Sequence, residues 1–355
     1  MSVSVVVCVY TEERWRDIGD AVASVLAQSL PACEVLLVVD HNPALLARLR
    51  ERYAASAPVR VLANAGPRGL SAGRNTGIVA ARGDIVAFLD DDATAEPAWL
   101  ARLTAAYADP RVLAVGGRTL PAWASGRRPA WFPEEFDWVV GCTYAGQPRG
   151  LVPVRNVLGG NASFRRAAFA RTGGFVTGIG RDGDRRPLGC EETELCIRLA
   201  RDHPGAVLLI DDLALIRHRV PAARERFAYF RRRTWAEGLS KALVARSVGA
   251  GAGLASERRQ AGRVLPRGIA RGVRDVLRGD LAGAARAGAI LAGGALAAGG
   301  YVVGAVRAGR AGALAGTAPL LVPEAPEPAA APAPAAAPAP AAAPEVSGRE
   351  VSRAD

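Results

Sequence analysis

Lysine is almost absent from this chain: Lys241 is the only one among 45 basic residues. No G-x-x-x-x-G-K-[ST] segment exists, which excludes a phosphate cradle built from a glycine loop and its lysine. Glycine is plentiful, yet the turn Cys8-Val9-Tyr10-Thr11-Glu12-Glu13 after the first apolar run contains none. That turn therefore cannot bring backbone close to a pyrophosphate as a G-x-G-x-x-G turn does. Five cysteines (Cys8, Cys33, Cys142, Cys190 and Cys196) are odd in number and lack C-x-x-C spacing. A reduced compartment suits them, and Cys8 and Cys196 fall on expected core faces as small hydrophobes. Met1–Val9 has neither the basic start nor the length of a signal peptide, so none is expected. With glycine and lysine unavailable, any phosphate ligand must be neutralised by a metal ion and by arginine.

Present instead are short apolar runs that end in acids. The run beginning at Ile85 leads through Phe88 and Leu89 into Asp90-Asp91-Asp92. Val3–Val9 ends at Tyr10-Thr11-Glu12, Val35–Val39 at Asp40-His41-Asn42-Pro43, and a shorter run, Val59–Leu62, near Asn64. Between them, Ile18, Ala21, Val22 and Val25 share a helical face, as do Leu45, Leu46 and Leu49. Ser71–Ala81 and Pro97–Tyr107 supply two more helices, the second with proline at its first turn. Strand–helix alternation with short links predicts an α/β fold with a doubly wound, mostly parallel sheet. Its ligands belong outside the carboxyl ends of the strands, where the three aspartates emerge. Three adjacent carboxylates repel one another, and hard oxygen donors there suit Mg²⁺ or Mn²⁺ holding a diphosphate.

Several segments in order carry a resemblance to a known family: Val3–Thr11, Ser24–Ser29, Glu34–Asp40, Gly69–Asn75, Gly83–Asp92 and Cys190–Arg198. Together they resemble the family-2 inverting glycosyltransferases of the GT-A fold, over roughly residues 3–220. The resemblance implies a nucleotide-sugar donor (a UDP-sugar favoured), a divalent cation and single displacement with inversion. Carried over by position, Asp40 matches the carboxylate that accepts a hydrogen bond from the donor base. Asp90 and Asp92 match the ends of the D-x-D motif at ribose and metal, with Asp91 sharing either task. Arg74 resembles an arginine facing the nucleotide, where its planar fork suits oxyanions. Tyr10 and Glu12 join the same nucleotide-side set, and His218, closing the run Leu213–Ile216, is a candidate third metal ligand.

Glu191-Glu192 stands where the family usually has Glu-Asp, the second residue being the base that deprotonates the acceptor hydroxyl. Glu192 takes that position with one more methylene, and Glu191 stays open as the alternative. Acids at a helix N-terminus are favoured by the macrodipole in any case. The segment 120–161 holds Trp123, Trp131, Phe132, Phe136 and Trp138, and reads either as an acceptor-binding excursion or as a satellite core. Trp131, Trp138, Gly160 and Asn161 are its candidate acceptor contacts, the glycine allowing close approach of a sugar.

The net charge of +11 arises mainly after about residue 217. Arginines from Arg217 to Arg246 alternate with Phe227, Tyr229, Phe230 and Trp235, a pattern that suits a membrane surface rather than nucleic acid. Ala287–Val306 carries no charge and has bilayer-spanning length, although alanine and glycine dominate it. Residues 317–355 are Pro/Ala-rich and expected to be disordered. The expected organisation is a glycosyltransferase domain (1–220), a basic helical membrane-surface region (221–286), a transmembrane or membrane-buried helix (287–306) and the tail. The expected activity is sugar transfer to a glycan or lipid-linked acceptor at the cytoplasmic face of the cell membrane. A nucleotidyltransferase on a related sheet and a non-catalytic membrane adaptor are the alternatives.

Overall fold

In the computed structural model, residues 1–177, 189–249 and 255–310 are described. Four β-branched, apolar segments form the first half of the sheet: β1 (Val3–Val9), β2 (Glu34–Val39), β3 (Val59–Ala63) and β4 (Ile85–Leu89). They pair in the order β3-β2-β1-β4, all parallel. Every residue of β2 and β4 is buried, as strands covered on both faces require.

Helices α1 (Trp15–Leu26), α2 (Pro43–Arg52) and α4 (Trp99–Ala105) bury Ile18, Val22, Leu45, Leu49, Trp99 and Leu103 in a core on one face. The other face carries α3 (Leu70–Ala80), α5 (Ala168–Thr172) and α6 (Glu191–Asp202), with Ile78, Phe169, Leu195 and Leu199 inward. Asn42 caps α2 by accepting a 3.0 Å hydrogen bond from the Leu45 amide, with Pro43 at the first turn.

Beyond β4 the expected parallel order fails. β8 (Asn161–Arg165) lies antiparallel between β4 and the long β6 (Val112–Trp123), and β9 (Val207–Val220) runs parallel to β6. The short β5 (Ala93–Ala95) and β7 (Leu151–Pro153) pair antiparallel with β9. The sheet is therefore mixed. Parallel neighbours need a long crossover connection; the link from β6 to β8 carries only the short 3-10 segment Glu134–Val140 and the strand β7, and β8 enters antiparallel to both its neighbours.

The C-terminal helices are α7 (Phe227–Val248), α8 (Ala255–Arg259), α9 (Leu265–Leu277) and α10 (Ala282–Arg310), with a π-helical turn, Gln260–Val264, joining α8 to α9. Glycines on α10 set how closely it approaches α7. A Cβ at Gly300 would lie 2.3 Å from the Trp235 carbonyl oxygen, and one at Gly304 2.8 Å from the Ala242 Cβ. Phe230 of α7 and Ile290 of α10 join Phe132, Phe136 and Val220 in a third core. The arginine–aromatic stretch is divided: Arg233 is buried against Glu237 and Phe230 lies in the third core, Arg217 and Arg219 pair at the surface with Glu96 and Asp17, and Arg226, Arg231, Arg232, Phe227 and Trp235 are exposed. All described residues fall in one compact unit; the Pro/Ala tail at 317–355 lies outside them.

Overpacking a helix contact of this kind costs about 1–3 kcal/mol. Gly300→Val should lower the unfolding free energy by about that amount in denaturant titration, while Ala298→Val, on the exposed side of α10, should leave it nearly unchanged.

Candidate active site

Asp90, Asp91 and Asp92 leave β4 at its carboxyl end and turn into β5, whose pairing with β9 sets Ala93 opposite His218. That register carries His218 Nε2 to 3.1 Å from Asp92 Oδ1. Donor atoms of Asp90, Asp92 and His218 lie within 4.8 Å of one another, a set able to hold one metal ion. Asp92 is also 3.1 Å from Arg14 and 3.8 Å from Arg224. Burial opposes its ionisation, yet His218 and the two guanidiniums outweigh that and hold its carboxyl far below the usual range. Burial would likewise lower the His218 pKa, but the Asp92 carboxylate pushes it up to about 10.

Asp91 points elsewhere. It is buried in an ion pair with Arg14, its Oδ2 has no partner, and burial, reinforced by the neighbouring aspartates, pushes its pKa up to about 7 against the pull of Arg14. It is the one aspartate of the triplet outside the metal-type cluster. Asp90 is the most accessible, its side chain 35% exposed. Gly160 is packed against it: a Cβ there would lie 2.1 Å from Asp90 Oδ2. The close approach that this glycine allows includes one to a carboxylate of the same chain.

Asp40, at the end of β2, is held from both sides. The Asn64 side-chain amide donates to Oδ1 at 2.7 Å, and the Gly69 amide donates to Oδ2 at 3.0 Å. Gly69 has φ of 131°, a left-handed conformation that favours glycine, and it opens α3. Tyr10 is 37% exposed with Arg14 over its ring, and Glu12 stands exposed in the following turn.

Arg74, expected to face a nucleotide, is instead buried in the interior of the site. Its guanidinium donates to Glu191 Oε1 at 2.7 Å, lies 3.8 Å from Asp90 Oδ1, and packs over Phe88 and Phe175. Glu191 is therefore neutralised where it stands, whereas Glu192 has no salt bridge among the described residues. Burial, reinforced by the charge of Glu191, pushes the Glu192 carboxyl up to about 7. Cys190, with φ of 73°, turns the chain into α6 just before the two acids. Behind them the Glu194–Arg198 pair ties α6 to the Thr172 and Gly174 carbonyls.

Of the candidate acceptor residues, Asn161 is enclosed by protein, while Trp131 and Trp138 are partly buried. Asn161 is fully buried; its Oδ1 accepts from Trp99 Nε1 at 2.7 Å and its Nδ2 donates to the Ala214 carbonyl. Trp131 packs edge-on against Phe227 and Phe230, and Trp138 against Phe136. Both tryptophans serve the third core, the satellite-core reading of that segment. A polar cavity of about 370 Å³ is lined by Arg118, Asp137, Tyr144, Gln147 and Asp212 among others. Arg14, Arg224 and Asn64 were missed by sequence reasoning. Arg14, in the turn after β1, and Asn64, at the end of the third apolar run, had a positional signal; Arg224 had none.

The model of glycosyl transferase family 2 matches residues 4–173. The chain is 38% identical over 245 residues to the glucosyl-dolichyl phosphate glucuronosyltransferase of Haloferax volcanii, covering 69% of this chain and 77% of that protein. It is 40% identical over 103 residues to the uncharacterized glycosyltransferase EpsJ of Bacillus subtilis, covering 29% of each. Among solved structures, the Pyrobaculum calidifontis mannosyltransferase PcManGT, in complex with GDP-Man and Mn²⁺, is similar at 20% identity and TM-score 0.49, covering 88% of this chain and 76% of its own.

Because Asp90 can yield toward solvent, Gly160→Ala should displace that carboxylate without unfolding the protein. The expected result is about tenfold weaker divalent-cation affinity by calorimetry, the scale of a disturbed ligand environment, at nearly unchanged melting temperature.

Proposed function

This chain belongs to glycosyl transferase family 2, and from that premise we propose that it transfers a sugar from a nucleotide-sugar donor to a hydroxyl of a lipid-linked glycan, with inversion at the anomeric carbon. Membership makes it a glycosyltransferase and sets aside the nucleotidyltransferase and adaptor readings. The observation that carries the proposal is the convergence on one strand edge of Asp90, Asp92 and His218 with the Arg74–Glu191 pair and Glu192.

The donor set of two carboxylates and one imidazole fits Mn²⁺ or Mg²⁺. Such an ion, when bound, supplies positive charge against the donor diphosphate. Asp40, presented by Asn64 and Gly69, receives the nucleoside end, with a UDP-sugar favoured; Tyr10 and Glu12 border it. Arg14 and Arg224 keep Asp92 ionised for its ligand role. Glu192 takes the proton of the acceptor hydroxyl as that oxygen bonds to the anomeric carbon and the bond to the diphosphate oxygen breaks. A carboxyl raised to about 7 suits this, since a general base works best when its pKa lies near the working pH. Glu191, fixed by Arg74, supplies the negative charge that helps raise it.

The lipid-linked acceptor rests on the Haloferax volcanii relative, named for action on glucosyl-dolichyl phosphate. Nucleotide sugars are made in the cytosol, so the catalytic domain, about residues 1–220, works at the cytoplasmic face of a membrane with the C-terminal helices at the lipid.

Three outcomes test this. Asp92→Asn should abolish Mn²⁺-dependent nucleotide binding in calorimetry; affinity indifferent to Mn²⁺ in wild type and variant alike would end the metal assignment. Glu192→Gln should keep donor binding and lose about 10²–10⁴-fold in transfer rate, and that pattern in Glu191→Gln instead would move the base by one residue. Because only the deprotonated carboxyl accepts the proton, the transfer rate should rise with pH through about 7 and then level. A profile already flat from pH 5 upward contradicts a base of this pKa.

A further inference from the structure

We infer that α9 lies in the surface of an anionic bilayer and holds the chain on one leaflet, with α10 at the membrane but not through it. The inference deepens the membrane reading above and rests on it.

Two stripes on α9 carry the argument. Gly268 and Gly272 are the buried face, against Ile290 and Gly283 of α10. Pro266, Ala270, Val273 and Leu277 recur at helical spacing on an exposed stripe, with Val273 52% and Leu277 82% exposed, and Leu281 just beyond at 77%. The adjoining stripe is Arg267, Arg271, Arg274 and Arg278. Arg271 pairs with Glu135, whereas Arg267, Arg274 and Arg278 have no carboxylate partner among the described residues. Exposed leucine beside unneutralised arginine suits neither a water-facing surface nor a protein core. It does suit an interfacial helix, whose apolar stripe enters the acyl boundary while guanidiniums reach anionic headgroups.

Segment Ala282–Arg307 is long and apolar enough to cross a bilayer by composition, but its neighbour forbids that. Gly293 meets Phe230, Gly300 meets Trp235, and Gly304 meets Ala242, so α10 runs alongside α7 through most of the apolar stretch. At the same levels α7 carries Arg231, Arg232, Arg233, Glu237 and Lys241. Placing α10 across hydrocarbon would bring these charges to the same depth, where each is costly. The outward stripe of α10, including Leu291, Ala295, Ala298 and Val302, is exposed and uncharged, which leaves it free to meet lipid from one side.

The test uses the full-length chain and vesicles of phosphatidylglycerol or phosphatidylcholine. Wild type should sediment with the anionic vesicles, and alkaline carbonate should release it from membranes. The triple substitution Arg267→Gln, Arg274→Gln, Arg278→Gln should weaken anionic-vesicle binding about a hundredfold and flatten its salt dependence. Val273→Ser, Leu277→Ser, Leu281→Ser should weaken binding about tenfold or more. Transfer to a short water-soluble acceptor should be unchanged in both. Carbonate-resistant retention overturns the inference in favour of a spanning helix, and undiminished binding in both variants overturns it while sparing the membrane reading. A shift in oligomeric state without loss of vesicle binding overturns it in favour of a second copy on this face. Absence of wild-type binding to any vesicle overturns the membrane reading as well.

Discussion

Arg74 is the charge on which both halves of the site depend. Buried behind Asp90 and bonded to Glu191, it is the one cation among the described residues that touches both the aspartate cluster at β4 and the acidic start of α6. Its own solvation is lost, so it remains charged only because these carboxylates, with Phe88 and Phe175 beneath, replace water. Removing one partner of a buried pair costs about 3–5 kcal/mol because the other charge is stranded. The same pair sets two adjacent glutamates in different surroundings: Glu191 is bonded to Arg74, and Glu192 has no salt bridge among the described residues. Burial and the charge of Glu191 beside it raise the Glu192 carboxyl.

The N-terminal half of the fold and its acids were legible in the sequence because each parallel strand is an unbroken apolar run ending in a polar turn. Asp40, Asp90 and Asp92 stand where those runs predicted them. What the sequence did not reveal were the directions of side chains and the partners of cations. Arg74 reads as solvent- or ligand-facing because nothing local says that Glu191, far along the chain, lies opposite. Asn161 reads as a polar residue near a turn, yet it is a buried clasp between Trp99 and Ala214. The antiparallel insertion of β8 was hidden because strand direction depends on connections, not on composition.

The C-terminal region was ambiguous for a different reason. A chain with a single lysine puts arginine wherever a cation is needed, so interior ion pairs and lipid-facing charges look alike along the sequence. Only packing separates Arg233, buried against Glu237, from Arg274 and Arg278, which face outward. Glycine on α10 was equally ambiguous, suiting a membrane helix or a close soluble contact; here it is the backbone of α7 that those glycines admit.

The insertion of β8 and the pairing of β5 with β9 also bear on the order in which the chain acquires its parts. Strands β1 to β4 have their parallel partners within the first quarter of the sequence, whereas His218 reaches Ala93 only through a contact of very long sequence separation. Loop closure over that span is slow relative to local pairing. During synthesis the aspartate turn therefore emerges well before its imidazole partner, with β4 an uncovered sheet edge until Asn161–Arg165 arrives. A nascent chain cannot bring Asp90, Asp92 and His218 together until β9 has followed α6 into place. Competence for chemistry and protection of that edge come late, and nearly together.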